Sequence, residues 1–483
     1  MKTRFDHNYG KCLFLIFSCL SLGFGSCKKL VTVPAPLTSV NSANVYNNNA
    51  TAAAVLTGIY TQMINGTNLL YLGIPSISFY AGMSSDELTL YSGENNSSYT
   101  EFYNNELSSI DVSPDFWSNI YPVIYTLNSA IEGINSSSEL TAAVKQQALG
   151  EAEFMRSFCY FYLVNLYGDV PLVLTTDYKA NSVIGRDSVR GVWAQIILDL
   201  KDSKILLSAN YLDATLTNTT TERVRPTKWA ASTLLARSYL YTGDWTDAIS
   251  EADSVIGNSM YLLDTLNGVF EANSSESIWQ LQPVVQGYNT PDAQLFIIPS
   301  TGLGGSYPVY LSSYLMGSFE SGDLRRADWI DSVIVNDVVY YYPYKYKIDQ
   351  INEPLTEYEM VFRLAELYLI RSEAEAELGD NNAAIRDLDT IRVRAGLPVY
   401  SGSVATSAIL SEIYHERQVE FFSEWGHRWF DLKRTGLVNS VMGSPGNVCY
   451  GKSGRSWSPN SALYPISISQ LQADPKLIQN PGY

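Results

Sequence analysis

The chain has 483 residues, 46% of them hydrophobic, and carries a formal net charge of −17. So acidic a balance argues against nucleic acid as a partner, because phosphate recognition demands clustered Lys and Arg. It also speaks against adhesion to anionic headgroups, while the length is ample for a large core and allows two or three domains.

At the N-terminus Lys2, Arg4 and Lys11 precede the apolar run Leu13 to Phe24 and the small pair Gly25–Ser26. That order is a secretory signal. The run is about 12 residues, too short for a bilayer that takes roughly 20 helical residues. Cys27 directly after the small residues is the pattern of a bacterial lipoprotein signal, so residues 1–26 would be removed and Cys27 lipidated. Lipidation by several chains makes such an anchor stable. Cys159 and Cys449 then remain in the body of the chain, and one pair makes no disulfide framework. Cys159, inside an apolar helical stretch, reads as a buried free thiol.

Residues 27–49, rich in Pro, Ser, Thr and Asn, read as a tether, and 50–483 as the folded body. Helical spacing places Ala52, Leu56, Ile59, Tyr60 and Met63 on one face, and Trp117, Tyr121, Ile124, Tyr125 and Asn128 on another. A third helix spans about 143–167, is apolar nearly all round after Phe154, and stops at Gly168-Asp169-Val170-Pro171. Two further helical pairs share a G-D-x-x-x-A-I turn, at Gly243–Ile249 and Gly379–Ile385. Small residues with a turn glycine are how tetratricopeptide pairs pack closely. Periodicity fades over about 80–116 and 257–355, where Gly, Ser, Pro and Tyr increase. Strand-like runs stand at Ser277–Leu281, Leu295–Ile298 and Val333–Tyr342. These parts read as loop and small-sheet material over a helical frame, where binding residues are commonly carried.

Five segments taken together resemble the SusD/RagB family of outer-membrane nutrient-binding lipoproteins. They are Cys27-Lys28-Lys29-Leu30 with Pro34 and Pro36; Glu151 to Pro171; Lys228 to Trp245; Arg363 to Arg434; and Pro465-Ile466-Ser467 with Gln479 to Tyr483. The resemblance implies a mainly α fold of four tetratricopeptide-like pairs carrying a loop-rich ligand face with small β elements. It implies an oligosaccharide ligand at the surface of the outer membrane, a TonB-dependent transporter as partner, no cofactor and no catalysis.

Three motifs have plainer readings than their chemistry suggests. Glu416, Glu420 and Glu424 repeat at i, i+4 on one helix face, with Arg417 and Arg428 placed to neutralise it. His415 and His427 lack the H-E-x-x-H spacing of a metal helix, so the set reads as a structural ion-pair network. Gly446 to Ser453 fits the phosphate-loop expression G-x-x-x-x-G-K-[ST]. Without a strand before it or a helix start after it, the match is a coincidence in a surface loop.

The 34 tyrosines point elsewhere, since a phenol joins a flat apolar face to a hydroxyl and suits sugars. In the first loop region the candidates for ligand contact are Asp86, Tyr91, Asn96, Tyr99 and Tyr103, with Asn95 beside them. In the second they are Trp279, Tyr288 and Tyr310, with Tyr307. Three other functions remain open: a peptide or other nutrient on the same fold, a protein-interaction scaffold, and a glycosidase using Asp86 and Glu87.

Overall fold

The computed structural model describes residues 45–65, 76–110 and 112–483. The signal, Cys27 and the tether as far as residue 44 lie outside them. Helix α1 (Asn49–Asn65) buries Ala52, Leu56, Ile59, Tyr60 and Met63, the stripe read from spacing. Tyr46, still tether by composition, is buried too, with its ring on Gly133. A Cβ at 133 would come within 2.1 Å of that ring, so only glycine fits there.

Short helices α2 (Ile77–Ser84) and α3 (Ser97–Asn104) open the first loop region. Helix α4 (Phe116–Ser136) turns Trp117, Ile124 and Asn128 inward as expected, but Tyr125 is 52% exposed. Val123 and Leu127 complete the buried face in its place. In α5 (Ala142–Tyr167) every residue from Phe154 onward is buried except Asn165. This helix is sandwiched between α4 and α6 (Val189–Leu206). Cys159 lies within it as a free thiol, pushed well up by burial.

The two G-D turns join α7 (Lys228–Thr242) to α8 (Trp245–Ile256) and α9 (Leu364–Glu377) to α10 (Asn381–Arg394). A third copy is Gly168-Asp169, between α5 and α6. Gly168, Gly243 and Gly379 have φ of 74°, 79° and 84°, a region costly for residues with a Cβ. Asp380 caps α10 by accepting from the Ala383 amide at 3.1 Å. In α6 the cap is Ser188, accepting from the Gly191 amide at 3.2 Å, and Asp169 adds a bond from the Val189 amide at 2.8 Å across 20 residues of chain. The excursion 170–188 is therefore an insertion within a repeat unit. Helices α11 (Thr406–Glu420) and α12 (His427–Arg434) make the fourth pair. Helices α4 to α10 pack each on the next and α11 closes on α9 and α10, the expected tetratricopeptide-like superhelix. No helix among the described residues is long and apolar enough to cross a membrane.

The strands form three two-stranded sheets. Strand β1 (Leu88–Leu90) pairs antiparallel with β3 (Val309–Leu311), and β2 (Ser277–Leu281) with β6 (Glu359–Arg363). The run Val333–Tyr342 is a hairpin rather than one strand: β4 (Ile330–Val335) folds onto β5 (Val338–Pro343). Asn336 and Asp337, at φ of 49° and 64°, supply the two left-handed residues that a tight hairpin turn needs. Leu295–Ile298 is no strand either. Thr290 caps a short helix over Pro291–Phe296, with Pro in its first turn, and the helix overrides the local β propensity.

Helix α11 ends at Glu420, so Glu424 lies beyond it and not on its face as expected; all three carboxylates are buried, and their partners also differ from those expected. Arg325 reaches Glu416 at 2.5 Å and Glu420 at 2.9 Å. Arg363 bridges Glu420 at 2.5 Å and Glu424 at 2.9 Å, Arg394 also pairs with Glu420, and Lys345 with Glu424. Arg417 and Arg428 turn away, to Asp431 and Asp86, each at 2.8 Å. Burial works to raise the Glu420 carboxyl, yet Arg394, Arg363 and Arg325 hold it well below the usual range. Arg417 stands about 100° round the helix from Glu416, and Arg428 belongs to the next helix, so neither shares this face.

Residues 448–453 of the phosphate-loop match form a short helix, not the surface loop expected. Lys452 spends its ammonium on the Met83 and Ser85 carbonyls, the latter at 2.9 Å, and burial lowers it to about 7. That lysine is a clamp on the end of α2.

Candidate functional site

The two loop regions meet at a cavity of about 560 Å³. Its walls come from four separate places. Helix α3 offers Tyr99, whose ring stands edge-on to Phe79 with centroids 5.1 Å apart. Asn96 caps α3, accepting from the Tyr99 amide at 3.3 Å, and so positions that tyrosine without facing the cavity itself. A second wall carries Tyr288, Gln294 and Leu295, and a third Gly305, Ser306, Tyr307 and Pro308. The fourth is Asp349, Gln350 and Ile351.

These walls are pinned by backbone and buried amides. Asn289 accepts from the Thr356 and Glu357 amides at 3.0 Å and donates to the Pro354 carbonyl at 3.0 Å, tying the second wall to the fourth. The Asn352 amide donates to the Gly287 carbonyl at 2.7 Å on the same seam. Gly304 and Tyr307 exchange backbone bonds at 3.2 and 2.8 Å, and the Tyr91 amide reaches the Pro308 carbonyl at 2.7 Å. The third wall is thus an extension of the β1–β3 sheet.

Of the residues expected to touch ligand, Tyr99 and Tyr288 line this cavity together, with Tyr307. Tyr91 and Tyr310 do not line it. Both meet Tyr340 of the hairpin edge-on, with centroids 6.4 and 5.1 Å apart. Pro308 lines the cavity and Tyr310 is two strand residues on, so the two share a face about 7 Å apart. Tyr103 sits under the Lys452 ammonium, 4.8 Å from the ring centre, outside the cavity.

Asp86 and Trp279 are corrected outright. Asp86 is 4% exposed and its carboxylate takes two bonds from Arg428, at 2.8 Å each. Trp279 is 0% exposed, enclosed edge-on by Phe154 and Phe158 at 5.1 and 5.5 Å. Its indole donates to the Val224 carbonyl at 3.1 Å. Strand β2, which carries it, is buried on both faces, and alternation cannot reveal that for so short a run. The pair Asp86–Glu87 is enclosed as well, and burial with the Asp86 charge pushes Glu87 up to about 8.

Sequence reasoning missed Gln294, Ser306, Asp349 and Gln350. They belong to no motif, and only the Gly- and Tyr-rich composition of their region pointed near them. Burial, and then the Glu94 charge, raise the Tyr99 hydroxyl, which stays a donor at ordinary pH. Flat rings beside amide, hydroxyl and carboxylate groups can hold a ligand with apolar C–H faces and a hydroxyl rim. Elsewhere, Glu320, Glu412 and His415 bring potential metal ligands within 4.8 Å of one another. The Arg392 guanidinium stands 2.6 Å from both carboxylates and already occupies them as a shared ion pair.

Two family models match: one described as the SusD family over residues 330–483, the other as "Starch-binding associating with outer membrane" over residues 76–240. SusD-like protein P25 of Formosa agariphila is 24% identical, with 98% of each chain covered. Among solved structures, a SusD superfamily protein from Bacteroides vulgatus superposes with a TM-score of 0.76 at 22% identity, covering 91% of this chain and all of that one. A laminarin-binding SusD-like protein superposes with a TM-score of 0.72 at 22% identity, covering 89% and 99%.

Proposed function

We propose, from the match to two SusD-type family models and to SusD-like relatives, that the chain is a surface lipoprotein that captures an oligosaccharide and passes it to a TonB-dependent transporter. Anchorage through Cys27 and residence at the outer membrane are part of this reading. They are supported by the signal pattern and by the outer-membrane wording of one matched family model.

One observation carries the ligand: Tyr99, Tyr288 and Tyr307 converge from distant loops on one cavity with Gln294, Ser306 and Gln350 between them. Rings take the C–H faces of a sugar and the polar groups take its hydroxyls. Binding is the whole of the mechanism; no bond is made or broken. The laminarin-binding neighbour supports a glycan over a peptide. The Asp86–Glu87 pair lends no support to a glycosidase, since Arg428 already claims one carboxylate and both are buried.

Calorimetry against a panel of oligo- and polysaccharides tests the reading. Binding to at least one glycan is expected, weakened in Tyr288→Ala and Tyr307→Ala. Silence across the panel, or release of shorter products on incubation, would refute it.

A further inference from the structure

Resting on the reading of the cavity as a glycan site, we propose that it selects uncharged or amine-bearing glycans and turns away sulfated and uronic ones. Apart from phenols, the one ionisable side chain in its lining is Asp349. That carboxylate accepts from the Gln350 amide at 3.0 Å and is joined to no cation among the described residues.

A second carboxylate stands at the rim. Glu94 accepts from the Asn95 and Asn96 amides through one oxygen, at 2.8 Å each. Its other oxygen lies 3.9 Å from the Cβ position of Gly305, a lining residue. No lining residue is Lys, Arg or His.

Sites that read sulfate or carboxylate place guanidinium forks or ammonium groups against them. Here an anionic substituent would meet two like charges with no cation in the lining to offset them, which is discrimination by repulsion. The whole chain, at −17, adds to that field at longer range. A neutral hydroxyl loses nothing in this setting, and a protonated amine would gain a partner in Asp349.

The test is retardation of the full chain in gels containing neutral glycans (laminarin, starch, xylan, galactan) or acidic ones (alginate, polygalacturonate, carrageenan). Retention by at least one neutral glycan is expected, with every acidic glycan at least tenfold weaker at low salt. Added salt should narrow the gap by screening, a readout that needs no variant. Asp349→Lys should gain retention by an acidic glycan. An acidic glycan held by the wild type as firmly as the best neutral one overturns the selectivity while leaving the glycan reading intact. If no glycan of either kind retains the chain, the glycan reading itself is overturned, and the selectivity with it.

Discussion

Around α11 each carboxylate meets guanidinium or ammonium groups: Glu420 is shared by Arg325, Arg363 and Arg394, and Glu424 by Arg363 and Lys345. At the tyrosine-lined cavity Asp349 and Glu94 accept from neutral amides and form no ion pair among the described residues. The difference follows from solvent. A charge removed from water must be matched at once, whereas a half-exposed one can wait hydrated for a ligand. The frame therefore holds its charges in pairs, and under the proposed function the cavity keeps its charges for a ligand.

The sharpest way to break this contrast is Glu420→Ala, which takes a shared carboxylate from three buried guanidiniums and leaves them only Glu416, Glu424, Glu276 and Asp323. A loss of about 3–5 kcal/mol, or outright failure to fold, is expected in chemical denaturation. Asp349→Ala should shift the same curve by no more than about 0.5 kcal/mol. Equal costs would erase the distinction between frame and cavity.

Next in size is the pH dependence of Glu87, a frame carboxyl that forms no ion pair among the described residues and accepts from the Ser423 amide at 3.3 Å. Folding raises it from 4.5 to about 8 through burial and the Asp86 charge. The folded chain then keeps a proton that the unfolded chain releases, so stability falls as pH rises from 4.5 to about 8. Glu87→Gln should exceed the wild type by a few kcal/mol at pH above that window, and match it below. A variant with an unchanged pH–stability curve would show that Glu87 is ionised in place.

Smaller effects are expected at the cavity, and in binding rather than folding. Tyr288→Ala and Tyr307→Ala should each weaken glycan affinity on the order of tenfold, about 1.4 kcal/mol, with little change in the unfolding midpoint. Tyr103→Ala, under Lys452 and away from the lining, should change affinity less than about twofold. If Tyr103 mattered as much as Tyr307, the ligand surface would run along β1 and β3 instead of into the cavity.

Much of the frame was legible in the chain alone. The α1 stripe, the all-round apolar α5 and the two G-D turns are local patterns, written within one or two helical periods. The third G-D turn is hidden in the chain because 19 residues separate Asp169 from Val189, whose amide it accepts from at the start of the next helix. The site was legible only in part. Tyrosine richness pointed to Tyr99 and Tyr288, which do share the cavity, but ranked Trp279 with them although it is core. A ring serves a core and a sugar equally well, and composition does not say which it faces. Asp86 misled for a similar reason: its partner Arg428 lies 342 positions away.

By itself the sequence determined the long helices of the frame and two of their turn glycines, because periodicity and capping act over a few residues. Tertiary structure alone decided that Arg325 and Arg363 serve α11 across 91 and 57 positions, and that four unlinked segments close one cavity. Those choices are made by long-range burial, which pairs whichever charges and rings the folded backbone brings together and leaves no period in the chain to read.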